Sequence, residues 1–373
     1  MVWKGAIKNT EIVQQYIVCP SRLEGCVVIG GAKNSALKLL VASLLTDERM
    51  EFTNFPVGIL DAQIGLGMLS ALGKQYSVRD NKVIITEPDR LRNCLSWKGR
   101  SIRTTLLILG ALVARNGRGC VPLPGGCRLG ERKHDIHEMV LRKMGADVWT
   151  HDKTLYAESK GRLIGTDIHL PIRSTGATEN AIICGTLAEG QTRIWNPHIR
   201  PEIIDLINCL RKMGANIEVF GQEHISIIGV DGLRGARHAV IADNLEALTW
   251  FIATVITGGD VQIVGFPRHD LEIPLIHLRE SGAVFYTGIN EIIVRGGRCY
   301  PIDISTGPYP AINSDMQPLF AVYGACARGE SRIVDLRFPG RYGYAEELNR
   351  LGAACMGEGN MLKIMGGRKL VGT

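Results

Sequence analysis

The sequence predicts an α/β (α+β) fold in two domains, each assembled from repeated β-α-β-α-β-β units. Three observations point there. The 373 residues exceed what one ordinary core organises and suit two domains of roughly 150 to 200 residues each. Apolar and charged fractions of 45% and 21% are those of a globular chain, which excludes disorder, coiled coil and collagen. The third is a repeat. Among 44 glycines, those at 73, 145, 214, 282 and 352 recur about every 70 residues, and the last four each precede an alanine.

The elements of a unit follow in order. Each unit carries an Ala-rich helical stretch, at 32–45, 103–116, 176–190, 244–259 and 315–329, that closes on a Gly or polar residue suited to a helix C-terminus. A short β-branched strand comes next, at 50–55, 120–123, 192–197, 261–266 and 331–336. A second, amphipathic helix follows. In 201–215 its apolar Ile203, Ile204, Ile207, Leu210 and Met213 recur at helical spacing. The repeat glycine then turns the chain into one or two strands, as in 81–87 and 289–297. Aromatic residues make up only 6%, so Leu, Ile, Val and Ala must build the cores.

Six units would make two domains of three. The count reaches five, because a sixth repeat glycine falls due at about position 422. A complete first domain is therefore expected at 22–235. Residues 1–21 plus 236–373 form a second with two units and an incomplete third, the opening segment adding a strand.

The net charge of +6 is spread without runs, which favours an anionic small molecule over nucleic acid. The 10 cysteines show neither a Cys-X-X-Cys pair nor metal-finger spacing, so all are expected as reduced thiols, with no metal or cofactor. Residues 1–16 lack the apolar core of a signal peptide, and no apolar stretch approaches the ~18 residues that cross a bilayer. A cytoplasmic protein without membrane partners is expected, of open oligomeric state.

Candidate chemistry sits at the starts of the leading helices, whose free amides and dipole favour anions. Gly30-Gly31-Ala32-Lys33-Asn34 opens the first, Arg103 the second and Ser174-Thr175-Gly176 the third. Lys33 reads either as part of a phosphate or carboxylate site or as a solvated lysine at a glycine turn. An insertion after residue 122 surrounds Cys127 with Arg128, Arg132 and Lys133 and continues to Asp135 and His137. Cations lower a thiol pKa, so Cys127 is a candidate acid, base or nucleophile, or an incidental thiol in a solvated loop. Asp315 starts the fifth leading helix, as an N-cap or as a general base.

The motifs GGAKNSAL (30–37), LPGGCRLGERKHDIH (123–137), STGATENA (174–181) with GTLAEGQTRI (185–194) and PEIID (201–205), and SDMQ (314–317) together resemble the enolpyruvyl transferases. The resemblance runs from about residue 25 to 367. It implies an inside-out α/β barrel in each of two domains that close over the substrates phosphoenolpyruvate and a uridine nucleotide. By the same resemblance, Lys33 binds phosphoenolpyruvate, Asn34 the sugar nucleotide, and Arg103 and Arg132 the phosphate. Cys127 is the proton donor that fosfomycin alkylates, Asp315 the carboxylate near the attacking 3′-hydroxyl, and Arg341 an arginine of the closing domain. Asp135, His137, Ser174, Thr175 and Gly176 fall where the family holds the nucleotide. The implied acceptor is UDP-N-acetylglucosamine, as in peptidoglycan synthesis. Three departures lie at the acceptor end: Lys133-His134-Asp135 for the family's Pro-X-Asp, Leu107 for a common tryptophan, and Ile172-Arg173 for a lysine and an apolar residue. They keep UMP, the acceptor of a relative in nucleoside-antibiotic biosynthesis, as an alternative. Two further arginines of the family's sixth unit have no counterpart in the five, which keeps a catalytically impaired nucleotide-binding relative as a second.

Overall fold

The computed structural model describes residues 17–124 and 134–372. Cys127, Arg132 and the opening residues 1–16 lie outside the described residues. Five units follow one another. The first comprises β1 (Glu24–Val28), α1 (Lys33–Ala42), β2 (Met50–Thr53), α2 (Leu60–Ala71), β3 (Gln75–Arg79) and β4 (Lys82–Thr86). The second comprises α3 (Thr105–Asn116), β5 (Arg118–Pro122), α4 (Asp135–Lys143), β6 (Ala146–His151) and β7 (Thr154–Ser159). The third comprises β8 (Asp167–His169), α5 (Thr175–Thr186), β9 (Gln191–Trp195), α6 (Pro201–Lys212), β10 (Asn216–Phe220) and β11 (His224–Ile228).

The fourth has β12 (Arg237–Ala239), α7 (Asn244–Ile256), β13 (Asp260–Val264), α8 (Glu272–Glu280), β14 (Val284–Thr287) and β15 (Glu291–Arg295). The fifth has β16 (Asp303–Thr306), α9 (Gln317–Cys326), β17 (Glu330–Asp335), α10 (Tyr344–Arg350), β18 (Ala354–Glu358) and β19 (Met361–Met365).

The repeat glycines have a common physical cause. Gly73, Gly145, Gly214, Gly282 and Gly352 all end second helices with φ between +92 and +107°, a region closed to residues with a Cβ except at a cost in strain. Each unit can therefore reverse from helix to hairpin in one step.

The leading helices lie inside and the sheets outside. Every residue of α3 from Thr105 to Ala114 is buried, as a largely apolar helix must be, and so is every residue of α5 from Ala177 to Thr186, including the polar Thr178, Glu179 and Asn180. These two pack together with α1 at the centre of the first core, which extends from Ala36 to Val240. Gly110 permits the closeness, since a Cβ there would stand 2.0 Å from Asn180 Oδ1. The second core gathers Ile29 and residues 247–364 around α7 and α9. This is the inside-out α/β arrangement.

Two leading strands are exchanged between the cores. β1 runs parallel to β13 in the second (Glu24 beside Asp260), and β12 runs parallel to β2 in the first (Arg237 beside Glu51). β1 and the following Ile29 thus pack with the second core, and β12 and Val240 with the first. A leading strand is three to five residues of β pattern, and nothing in its periodicity says which sheet edge receives it.

In the second unit the leading strand shrinks to one parallel bridge, Cys94 to Cys120. That bridge corrects the expectation of ten reduced thiols. Cys94 and Cys120 form a disulfide across it, because neighbours in a parallel bridge stand with their Cα atoms only 4.6 Å apart.

Candidate active site

In the first core the starts of α3 and α5 come together through His137, and α1 approaches α5 one turn in from its own start. Lys33 begins α1, its amide donating to Asp243 Oδ2 (3.1 Å) and its ammonium paired with Asp61 (3.1 Å). Asp243 also caps α7, so this contact joins the two cores at the crossover. Asn34 stands half-buried in the same first turn. One turn further, Lys38 lies 3.7 Å from Glu179 of α5. Glu179 is buried, and burial raises its pKa to about 7, against the pull of Lys38 and Arg200.

The starts of α3 and α5 meet through His137. Its ring lies against Gly176, where a Cβ would come within 2.9 Å of Nε2. Burial, reinforced by the Arg103 charge, lowers its pKa to about 3, so His137 is neutral near pH 7. Asp135, at the first position of α4, is exposed. Ser174 caps α5, its Oγ accepting from the Ala177 amide at 3.4 Å. Among the departures, Leu107 is a core residue, 3% exposed, rather than a wall of the site.

The second core contributes the turn before α9. Asn313 Oδ1 accepts from the Asp315 amide (3.0 Å), which orients the turn. Asp315 pairs with Arg341 at 2.8 Å, and Arg341 also donates to Ser314 Oγ (3.1 Å). Asp315 itself remains 40% exposed at its side chain, so the carboxylate is oriented and still open to a ligand. Behind it, Asp335 accepts from Ser314 and Thr306, which hold its carboxyl below the usual range in spite of burial.

Three residues that sequence reasoning missed join the two halves. Arg200 makes a bidentate pair with Glu202 (2.6 Å for both bonds) and feels Asp315 across the cleft. Burial opposes its charge, yet the carboxylates hold its pKa above the ordinary value. His198 bonds Thr175 Oγ1 through Nδ1 (2.8 Å) and accepts the Tyr309 amide at Nε2 (3.2 Å). Its legible signal is Pro197-His198-Ile199-Arg200-Pro201, a proline-flanked polar turn between a strand and an amphipathic helix. Tyr309 carried none. Chemically, helix starts carrying Lys33 and Arg103 in the first core and the oriented Asp315 carboxylate of the second are groups that suit an anionic donor and a hydroxyl acceptor. Among the described residues no group of three or more His, Cys, Asp or Glu converges to hold a metal.

Residues 17–373 match the sequence pattern of the family described as EPSP synthase (3-phosphoshikimate 1-carboxyvinyltransferase). The chain belongs to this family of enolpyruvyl transferases. It is 36% identical over 363 residues to a UDP-N-acetylglucosamine 1-carboxyvinyltransferase of Caulobacter vibrioides, covering 95% of this chain and 84% of that one. It is 38% identical over 360 residues to UDP-N-acetylglucosamine 1-carboxyvinyltransferase 1 of Carboxydothermus hydrogenoformans, covering 96% and 85%. The enolpyruvyl transferase NikO of Streptomyces tendae has the same fold, with a TM-score of 0.82 at 24% identity over 92% of this chain and 82% of that one. As an enolpyruvyl transferase, the chain is an enzyme that moves a carboxyvinyl group. No helix among its described residues is long and apolar enough to cross a membrane.

Proposed function

We propose that this enolpyruvyl transferase moves the carboxyvinyl group of phosphoenolpyruvate to the 3′-hydroxyl of UDP-N-acetylglucosamine, releasing phosphate, as a step of peptidoglycan synthesis. The observation that carries the reading is the Asp315–Arg341 pair, which holds a half-exposed carboxylate within the electrostatic field of Arg200 from the first core. The name shared by relatives 36 to 38% identical supports the acceptor.

The reaction asks for few groups. The hydroxyl adds to C2 as C3 is protonated, and the resulting tetrahedral phosphoketal loses a proton from C3 and phosphate from C2. Asp315 takes the hydroxyl proton, with Arg341 holding its carboxylate in place through the 2.8 Å pair. Lys33, Arg103 and Arg132 neutralise phosphate and carboxylate of the donor as charge shifts onto the leaving phosphate. Cys127 delivers and recovers the C3 proton. Asn34, Asp135, His137, Ser174, Thr175 and Gly176 hold the nucleotide, His137 as a neutral imidazole packed on the α5 start.

UMP is the second acceptor reading, kept by the departures Lys133-His134-Asp135 and Ile172-Arg173; Leu107 lies in the core and does not bear on it. Phosphate release from phosphoenolpyruvate, measured against UDP-N-acetylglucosamine, other UDP-sugars, UMP and uridine, tests both. Turnover with UDP-N-acetylglucosamine and fosfomycin labelling of Cys127 are expected. Turnover with UMP alone would move the reading to the second acceptor, and failure with every uridine compound would refute both.

A further inference from the structure

We infer that His198 is a positioning residue that couples closure of the two domains to acceptor binding, by turning the Thr175 hydroxyl into a hydrogen-bond donor toward the cleft. The inference rests on the proposed uridine nucleotide acceptor.

Donor and acceptor roles fix the tautomer of the His198 ring. A backbone N–H can only donate, so the Tyr309 amide at 3.2 Å requires an unprotonated Nε2. A neutral imidazole with Nε2 bare carries its hydrogen on Nδ1, and Nδ1 therefore donates to Thr175 Oγ1 at 2.8 Å. The Thr175 hydroxyl hydrogen is then left to point elsewhere, and no second partner for that oxygen is in reach among the described residues. Thr175 is half-buried at the first position of α5, where the helix amides already favour an anion. An acceptor oxygen of a nucleotide completes the arrangement.

With the domains apart, Nε2 loses the Tyr309 donor and the other tautomer becomes available. Thr175 can then donate to Nδ1 and is no longer set to donate to a ligand. Closure thus reverses one hydrogen bond, and by linkage the acceptor favours closure by the factor that closure favours the acceptor.

The ring is held for this task. The His198 amide donates to Thr178 Oγ1 (3.0 Å), which donates to the Ser174 carbonyl (2.8 Å), so the backbone is tied to α5. Pro197 and Pro201 flank the turn. Burial, then the charges of Arg200, Arg337 and Arg173, lower the His198 pKa to about 4, which keeps the imidazole neutral and its Nε2 an acceptor.

The test uses His198→Ala, His198→Gln and Thr175→Val in the full chain. His198→Ala should raise the acceptor KM about 10-fold while leaving the phosphoenolpyruvate KM nearly unchanged. His198→Gln should restore it, since an amide can accept from Tyr309 and donate to Thr175. Thr175→Val should match His198→Ala, and the double variant should be no worse than either. An unchanged acceptor KM in His198→Ala, or losses that multiply in the double variant, would overturn the inference. If no uridine compound is turned over, the functional reading fails and the coupling is read without it. In ligand-free protein, His198→Ala should enlarge the radius of gyration in solution scattering and speed hydrogen exchange of the Tyr309 amide. Wild-type values for both would sink the coupling on its own.

Discussion

Gly110→Ala is a sharp test of how the first core places its chemistry. The added Cβ would stand 2.0 Å from Asn180 Oδ1 and 3.1 Å from Cys184 Sγ, where ordinary contact begins at 3.4 Å. The overlap is about 1.4 Å, and Asn180 is fully buried, so it cannot swing into solvent. α3 and α5 must therefore separate by about 1 Å, at an overpacking cost of about 1–3 kcal/mol. The same two helices begin next to Arg103 and with Thr175. A displacement of about 1 Å between such groups costs about 100-fold in rate. The expected result is native circular dichroism, a denaturant midpoint lowered by that cost, and kcat/KM down about 100-fold. Asn180→Ala removes the struck atoms, so the double variant should recover most of the stability. A Gly110→Ala protein as stable and active as the wild type, or a double variant no better than the single, would refute the reasoning.

Three further outcomes follow from buried charge and from the site. Glu87 links the fully buried Lys74 (2.7 Å) to Arg115 (2.7 Å), so Glu87→Gln leaves an uncompensated ammonium and should cost about 3–5 kcal/mol in chemical denaturation; a loss below about 1 kcal/mol would contradict it. Burial raises the Glu179 pKa from 4.5 to about 7, so the stability its protonated form contributes is complete below pH 4.5 and lost as pH rises through about 7. Glu179→Gln should therefore gain on the wild type between those values, and equal pH profiles would rule this out. Asp315→Asn should lower kcat about 100- to 10,000-fold with nucleotide binding retained in calorimetry, whereas a kcat within about 5-fold of wild type would exclude Asp315 as the base.

Much of the site was legible because it lies at helix starts. Lys33, Arg103 and Ser174 mark the same place in successive units, and the repeat glycines fix the frame by which that place is counted. Asp315 was legible as a carboxylate at a helix start, but not as a cap, since Asn313 caps the turn, and its pairing with Arg341 was not legible, since they stand 26 positions apart in unrelated pattern. His198, Arg200 and Tyr309 were missed for a similar reason. A histidine's use depends on what faces each ring nitrogen, and here one partner lies 23 residues upstream and the other 111 downstream.

The sequence by itself determined the units: helix and strand periodicities set each element locally, and the need for φ near +100° at five turns set their spacing. The tertiary structure alone decided where the leading strands go. β1 and β12 are too short to specify a partner by pattern, and only the approach of the two cores offers each a sheet edge in the other. The same approach brings His198, which bonds Thr175 of α5, within reach of Tyr309, and Arg200 into the field of Asp315, because contacts between distant segments depend on how whole domains pack.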